Sequence, residues 1–308
     1  MPDYGRPVRF GYFLNPTAEG IEATIESARL ADRLGLDLIG IQDHPYQPRF
    51  LDTWTLLTYL AARTERIRLF PDVATLALRP PAMLAKAALS LDILSGGRFE
   101  LGLGIGAFPK AIAAMGADAL PPGRAIEALE EGIAIIRAVW TADRRATFEG
   151  TYHRLGPGVA GPPPAHPIGI WIGAYKPRML ALTGRLGDGW VPTLAYAAPT
   201  ALPAMHDHID RAALAAGRDP ASIGRLYNVQ GRIVDGAVTS LLDGPPGHWV
   251  ESLTAFAVDF GMDTFLIGPT EAAAIQVRRF AEEVVPAVRD SVARVRAERG
   301  VAGRAVGM

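Results

Sequence analysis

The feature of this sequence that most restricts its fold is a repeated alternation of strand-like and helix-like segments. Short apolar runs such as 8–14 and 38–43 alternate with longer segments, such as 21–34, whose apolar residues recur at helical spacing. Eight such units follow one another, mostly at intervals of roughly thirty residues. Since strands joined through helices pair in parallel with right-handed crossovers, the pattern predicts a parallel sheet surrounded by helices.

Eight strand–helix units predict an α/β fold, a (β/α)8 barrel, as a single domain over residues 1–308. The segment 141–167 breaks the rhythm, with a hairpin pattern at 148–153 followed by a stretch rich in proline and glycine. We interpret it as an insertion after the fourth helix, because the alternation resumes at 168. Residues 300–308 are expected to fray. A doubly wound open sheet is the alternative, but no Gly-x-Gly-x-x-Gly follows the first strand.

Composition excludes several classes of function. The 308 residues are 49% hydrophobic, carry a net charge of -1 and include no cysteine. Disulfides, thiolate catalysis and cysteine-based metal sites are therefore excluded. The charge offers no basis for binding nucleic acid or a membrane surface, and no apolar run is long enough for a transmembrane helix. The N-terminus lacks the pattern of a signal peptide, so a cytoplasmic location is expected.

A carboxylate and an imidazole follow the second predicted strand. This strand ends in Asp43 and His44, and Pro45 then prevents further ladder pairing. In a parallel barrel the carboxyl ends of the strands converge on one face, here called the barrel mouth, where catalysis usually takes place. Asp43 and His44 are therefore candidate catalytic residues. The local sequence is equally compatible with a capping role for Asp43 and a purely structural role for His44.

The other predicted strand ends are rich in glycine and poor in catalytic side chains. They comprise Leu14-Asn15, Asp72 to Thr75, Gly104 to Gly106, Gly173 to Tyr175, Thr193 and Gly268. With one histidine and few carboxylates, this mouth disfavours a metallohydrolase. It suits a flat organic cofactor, which brings its own chemistry and needs close approach of the backbone.

A possible anion site follows the fifth predicted strand, which ends at Gly173. A helix is expected to start near Pro177, so its first free N–H groups point to the mouth beside Lys176 and Arg178. Such an arrangement can bind a cofactor phosphate. An ordinary turn with two solvated charges is the alternative.

Four stretches resemble the bacterial-luciferase-like superfamily of flavin- or deazaflavin-dependent (β/α)8 oxidoreductases and monooxygenases. They are Gly40-Ile-Gln-Asp-His44, Arg79-Pro-Pro-Ala82, Leu91 to Gly106 with its Ser95-Gly-Gly-Arg98 motif, and Gly173 through Gly187-Asp-Gly-Trp190. The resemblance spans nearly the whole chain, and the motifs occur in the same order.

This resemblance implies roles for individual residues. It implies a non-proline cis peptide at Asp72-Val73 in a bulge that supports the ring, and a phosphate loop at 174–178. Asp43-His44 matches the pair beside the reactive carbon in deazaflavin-using members. Coenzyme F420 is therefore the preferred cofactor, with FMN as the alternative. The implied cofactor-binding residues are Asp72, Val73, Ala74, Gly106, Lys110, Gly173, Ala174, Tyr175, Lys176 and Arg178.

The sequence departs from the family where sugar-phosphate-oxidising members carry a glutamate after the fourth strand. Ala107 stands there, so a sugar phosphate is not expected as the substrate. An apolar or aromatic organic molecule is expected instead. The candidate substrate-pocket residues are Tyr12, Phe13, Phe108 and Trp190, for which core packing is the alternative.

The leading hypothesis is an oxidoreductase that passes a hydride between F420 and an apolar substrate. His44 would exchange the substrate proton, its tautomer held by Asp43 or a backbone carbonyl. An FMN-dependent monooxygenase that uses O2 and a partner reductase is the alternative, and a non-catalytic flavin-binding barrel is a third. The resemblance also implies a homodimer. The segments 141–167 and 235–247 are expected to cover the mouth.

Overall fold

The computed structural model describes residues 3–141, 145–269 and 272–300. The strands are β1 (Arg9–Leu14), β2 (Leu38–Ile41), β3 (Arg68–Pro71), β4 (Ala74–Thr75), β5 (Leu101–Gly104), β6 (Phe148–Glu149), β7 (Arg154–Leu155), β8 (Ile170–Ile172), β9 (Gly189–Trp190), β10 (Gly224–Gln230), β11 (Arg232–Ile233), β12 (Asp243–Gly244) and β13 (Thr264–Gly268). Apart from Gly300, the tail expected to fray lies outside the described residues.

The helices follow the predicted order. They are α1 (Ile21–Arg33), α2 (Thr53–Ala61), α3 (Pro81–Ser95), α4 (Pro109–Ala114), α5 (Pro122–Trp140), α6 (Pro177–Leu186), α7 (Leu202–Ala215), α8 (Pro246–Val258), α9 (Ala273–Arg279) and α10 (Val285–Glu298). A π-helical turn over Phe280–Val284 joins α9 to α10, so the single long final helix that the sequence predicts is interrupted. The short α4 has too few residues to produce a periodic signal and was not predicted.

The barrel closes through its third strand, which consists of two separate segments. The sheet runs in the order β3-β2-β1-β13-β10-β9-β8-β5-β4, and all of its pairings are parallel. At one end β3 pairs with β2, and at the other β4 pairs with β5. Because β3 and β4 are the two halves of one predicted strand, the nine segments form an eight-stranded barrel, which confirms the predicted fold.

The predicted strand 67–76 is divided by Asp72 and Val73 into two halves, which confirms the bulge expected there. Pro71 cannot donate to the ladder and ends β3. The peptide bond between Asp72 and Val73 is cis, as the resemblance implied. The two residues bulge into the barrel at its mouth.

Three glycines provide space for this bulge. A Cβ atom added at Gly104 or Gly173 would lie 3.0 or 2.9 Å from a methyl group of Val73, and one at Gly102 would collide with the carbonyl oxygen of Pro71. The absence of side chains at these glycines therefore leaves room for the bulge between the two halves of the third strand.

The barrel interior and the surrounding layer form separate apolar clusters. The interior cluster contains Leu38, Phe70, Trp171, Val191, Leu226 and Leu266, with Phe13 and Val73 at its mouth side. The outer cluster fills the space between strands and helices and includes Phe10, Tyr12 and Leu14 from β1. Since side chains alternate along a strand, Tyr12 faces the helices while Phe13 faces the interior.

The insertion lies along the outside of the barrel. Its hairpin β6–β7 is held by the Glu131 carboxylate on α5, which accepts the backbone N–H groups of 151, 152 and 153 at 2.7 to 2.9 Å. Further on, Lys86 on α3 donates to the Gly161 carbonyl. His166 then contacts Asp92, near the end of α3 that lies away from the mouth. The prediction that residues 141–167 cover the mouth was therefore wrong for 156–167.

The arginine of the Ser-Gly-Gly-Arg motif has a structural role. Five hydrogen bonds run from the Arg98 guanidinium to Ser95, Ala61, Ile67 and both the hydroxyl and the carbonyl of Thr64. Arg98 thereby joins the ends of α2 and α3 to the start of β3, on the face opposite the mouth.

Replacing Gly102 by alanine should lower the free energy of unfolding by roughly 2–4 kcal/mol, because the new methyl group would meet backbone of the third strand, which cannot rotate away. Gly156→Ala is the matched control, since no atom lies within 4 Å of its added Cβ. Urea denaturation of both variants checks the prediction. Equal stability of the two would show that the glycine does not accommodate the bulge.

Candidate active site

Three aromatic rings meet at the mouth beyond β2 and β5. His44 stacks on Tyr46 with ring centroids 5.3 Å apart, and Phe108 contacts His44 edge-on at 5.5 Å. Phe108 is 46% exposed, which leaves part of its ring free for a ligand. Tyr46 was not singled out in the sequence, although its position two residues after His44, beyond a proline turn, was the available signal.

Asp43 does not orient His44, contrary to the sequence-based expectation. The Asp43 side chain is fully buried, and neither of its oxygens has a hydrogen-bond partner among the described residues. Its nearest cation is Arg79, whose Nη1 lies 3.6 Å from Oδ2, and Arg79 also pairs with Asp52. Burial raises the pKa of Asp43 to about 6, while the Arg79 guanidinium lowers it. Asp43 is therefore a buried acid behind the mouth, and its charge is partly balanced by Arg79.

The imidazole of His44 is held neutral. Burial lowers the pKa of His44, because the charged ring would lose hydration among aromatic neighbours. Within the described part of the chain, no hydrogen bond fixes its side-chain tautomer. A neutral imidazole can accept a proton through one ring nitrogen and donate one through the other.

Asp72 is the second buried acid of the site. It lies beside Gly40, where an added Cβ would be 2.8 Å from Oδ2, and burial raises its pKa to about 7. The Asn228 amide on β10 opposes this rise in the pKa. Since the backbone N–H of Asp72 donates to the Ile41 carbonyl at 2.7 Å, the register places the bulge beside the segment that carries Asp43 and His44.

The predicted phosphate loop lies at the start of α6. Lys176 occupies the position before Pro177, and its side chain is exposed, as is that of Arg178. Arg178 Nη2 lies 3.5 Å from Glu127 on α5. The Tyr175 hydroxyl accepts the Thr193 N–H at 3.1 Å, so Tyr175 braces the loop against the next strand end. This arrangement has the open N-terminal turn and the nearby cations that a phosphate needs.

The remaining predicted cofactor residues lie around the same mouth. Ala74 is buried in β4, directly after the bulge. Gly106 has a φ of 86°, a left-handed conformation that only glycine adopts readily. Lys110 is exposed on α4, four residues beyond it in the chain.

Two of the predicted substrate residues belong to the core. Trp190 is fully buried, and its indole N–H donates to the Ala174 carbonyl at 2.8 Å. Tyr12 is 5% exposed in the outer layer. Their assignment to a substrate pocket was therefore wrong, because both strands turn these side chains toward the helices. Phe13 and Phe108 face the mouth and remain candidates.

A cavity of about 350 Å³ adjoins the mouth between α3, α4 and α5. Its lining is mostly apolar and includes Leu76, Ile105, Gly106 and Ile112. Arg79 lies on its wall and reaches Asp43, so it connects the cavity to the mouth. The sequence analysis did not single out Arg79 as a site residue, although it stands in one of the motifs.

A parallel barrel with an aromatic mouth and a backbone bulge is typical of cofactor-using oxidoreductases of the flavin type. Comparison with known proteins agrees with this class: the model of the luciferase-like monooxygenase family matches residues 8–232. The chain belongs to this family. Within the described residues no helix is long and apolar enough to cross a membrane, and no group of three side chains is placed to hold a metal ion.

Two curated relatives share about a third of their aligned residues with this chain. The F420-dependent glucose-6-phosphate dehydrogenase of Kineococcus radiotolerans is 30% identical over 240 residues, which cover 74% of this chain and 68% of the relative. The phthiodiolone/phenolphthiodiolone dimycocerosates ketoreductase of Mycobacterium sp. strain JLS is 33% identical over 220 residues, covering 70% of this chain and 56% of the relative.

Solved structures share the fold at low sequence identity. An F420-dependent secondary alcohol dehydrogenase in complex with an F420-acetone adduct superposes with a TM-score of 0.82 at 18% identity, covering 92% of this chain and all of that one. EDTA monooxygenase from Chelativorans sp. BNC1 gives 0.78 at 18% identity, covering 92% and 94%. Both confirm the luciferase-like barrel.

Asp43→Asn should change how stability depends on pH. The folded state holds the Asp43 proton more tightly than the unfolded state, so the contribution of this group to stability is present below about pH 4 and is lost as the pH rises through about 6. Between pH 4 and 7 the wild type should lose roughly 1–3 kcal/mol relative to the variant. Urea unfolding across this range measures the difference, and parallel curves would contradict the assignment.

Proposed function

We propose that this chain is an F420-dependent oxidoreductase that passes a hydride between the deazaflavin and an apolar organic substrate. The observation that carries the proposal is a neutral, half-buried His44 that packs against Tyr46 and Phe108 at the mouth. It lies three residues beyond Ile41, whose carbonyl accepts the backbone N–H of Asp72 in the bulge. Its relatives support the choice of cofactor, since the dehydrogenase from Kineococcus is named as F420-dependent. F420, when bound, would supply the carbon that accepts or releases the hydride.

The residues that would hold the cofactor fit its chemistry. Val73 offers an apolar contact for a planar ring, and the three glycines beneath it keep it in place. The first turn of α6, with Lys176 beside it, offers N–H groups and a positive charge to a phosphate. The neutral ring of His44 takes the hydroxyl proton of an alcohol substrate, or returns a proton to a carbonyl in the opposite direction.

The substrate is proposed to be apolar or aromatic. His44, Tyr46 and Phe108 present ring faces and edges at the mouth, which favours contact with apolar groups. Ala107 offers no carboxylate there. A ketone or secondary alcohol with an apolar body matches these surroundings better than a sugar phosphate does.

An FMN-dependent monooxygenase that receives reduced flavin from a partner reductase is the second candidate. The family model and the fold shared with EDTA monooxygenase favour it. Titrating the cofactor-free protein separately with F420 and FMN, and following the absorbance of each, distinguishes the two. A shift with FMN alone would replace the first proposal, and binding of a cofactor without turnover of any alcohol, ketone or oxygen would favour a binding protein.

A homodimer is also proposed, because α2 and α3 expose several large apolar side chains on one side of the barrel. They are Tyr59, Met83, Ile93 and Leu94, of which Met83 is 64% and Leu94 79% exposed. A second copy could cover this surface. Light scattering that finds a stable monomer would rule the dimer out, and Leu94→Asp should shift a dimer toward monomer.

His44→Asn should lower turnover by roughly 10²–10⁴-fold, because asparagine retains polarity but cannot accept the substrate proton. The affinity for cofactor should change by less than about 1 kcal/mol, since His44 lies at the edge of the proposed ring site. Steady-state kinetics and an absorbance titration measure the two effects. Turnover equal to that of wild type would assign His44 to structure alone.

Lys176→Ala should weaken binding of the phosphate-bearing cofactor by roughly five- to tenfold, a modest loss because the side chain is exposed. A phosphate-free ring analogue should bind as before. Arg185→Ala, near the other end of α6, is the control for removing a cation and should leave both affinities unchanged. Equal weakening of both ligands would place Lys176 outside the phosphate site.

A further inference from the structure

Asp72 is a carboxyl group without a counter-ion inside the barrel. The residue is 8% exposed, and its Oδ2 has no hydrogen-bond partner in the described part of the chain. No cation lies within 4 Å of the carboxylate among the described residues. This separates it from Asp43, which has Arg79 nearby.

The groups that face Asp72 come from four elements. β2 contributes the backbone of Gly40, and the Phe70 ring of β3 contacts the same position. β10 contributes the Asn228 amide, whose own Oδ1 is buried without a partner. The loop after β8 contributes the Tyr175 hydroxyl, whose pKa is raised by burial and, to a smaller degree, by Asp72. Tyr175 is thus the titratable neighbour, and it is neutral.

Burial among such neighbours disfavours the carboxylate. An unpaired charge in a site of low polarity binds a proton rather than remaining ionised. The pKa of Asp72 is accordingly raised to about 7, mainly by desolvation. Near neutral pH a small change in local charge is then enough to add or remove the proton.

We propose that Asp72 exchanges one proton with solvent in response to the charge on the ring bound at the Val73 bulge. This inference rests on the proposed function, which places a deazaflavin or flavin ring there. Asp72 immediately precedes Val73, so its carboxyl group is part of the bulge on which the ring would rest. Asp72 is a positioning residue that sets the charge of the site, and His44 remains the group that exchanges the substrate proton.

Charge balance defines what Asp72 does during the reaction. In the oxidation of an alcohol, the substrate would give its hydride to the bound ring and its hydroxyl proton to His44, which then passes that proton to solvent. The hydride would add one negative charge to the ring. An ionised Asp72 would take one proton from solvent in response, so the total charge of the ring and the carboxyl group would stay the same. In the reverse direction each proton would move the other way.

The first experiment uses cofactor-free protein labelled with ¹³C at the aspartate carboxyl carbons. NMR titration should show one resonance with a midpoint near pH 7 that disappears in Asp72→Asn and persists in Asp43→Asn. Asp72→Ala is a second variant should the asparagine protein fold poorly, which circular dichroism establishes. Absence of this resonance in the wild type, or its persistence in both Asp72 variants, would overturn the inference without affecting the proposed function.

The second experiment compares the affinities of oxidised and reduced F420 from pH 5.5 to 8.5. In the wild type the ratio of the two dissociation constants should change by roughly tenfold across this range, with the reduced form favoured at low pH. Titration of the cofactor itself contributes to this change in both proteins. The contribution of Asp72 should be absent from Asp72→Asn, so the ratio should depend less on pH in the variant. An unchanged pH response in the variant would overturn this inference alone, whereas failure of the wild type to bind F420 or FMN would overturn it together with the proposed function.

Discussion

The end of β3 at Pro71 is the constraint on which the rest of this mouth depends. A proline cannot donate to the ladder, so the chain leaves the sheet and two residues enter the barrel before β4 resumes pairing. Their volume must be matched by missing side chains on the neighbouring strands, which is why Gly102, Gly104 and Gly173 face them. One break in a strand thus determines the composition of two other strands and the shape of the surface offered to a ligand.

The same geometry determines the electrostatics of the site. Two carboxyl groups and one imidazole lie within a mouth built mainly from apolar and aromatic groups, and burial moves each toward its neutral form. Near neutral pH the imidazole is therefore neutral, Asp72 is close to its midpoint, and the charge of Asp43 faces Arg79. Such surroundings suit a reaction in which a hydride and a proton leave a substrate by different routes, because the neutral imidazole is able to accept the proton.

The barrel was predictable because its signal is distributed over the whole chain. The pattern of eight alternations can be recognised even when the boundaries of individual strands and helices are misplaced. Parallel strands joined by helices also allow few topologies. The resemblance located the cis peptide from local motifs.

The direction in which single side chains point was not predictable. Trp190 and Tyr12 stand at or near strand ends, yet a shift of one residue decides between the mouth and the outer layer. Asp43 illustrates a second limit, since its partner Arg79 comes from a distant segment that only the folded chain brings within 3.6 Å. The proline- and glycine-rich composition of 156–167 suggested a lid, but these residues follow the outside of the barrel because distant contacts, such as that of His166 with Asp92, hold them there.

The insertion is held at two separated places, by Glu131 on α5 and by the Asp92–His166 contact near the far end of α3. The stretch between these anchors is tied down mainly by hydrogen bonds of Gly161. Its length can therefore change without moving either anchor, since lengthening a surface loop adds only a small entropic cost. This segment is consequently a suitable place to introduce a tag or a fused domain, because an added sequence would extend from the outside of the barrel.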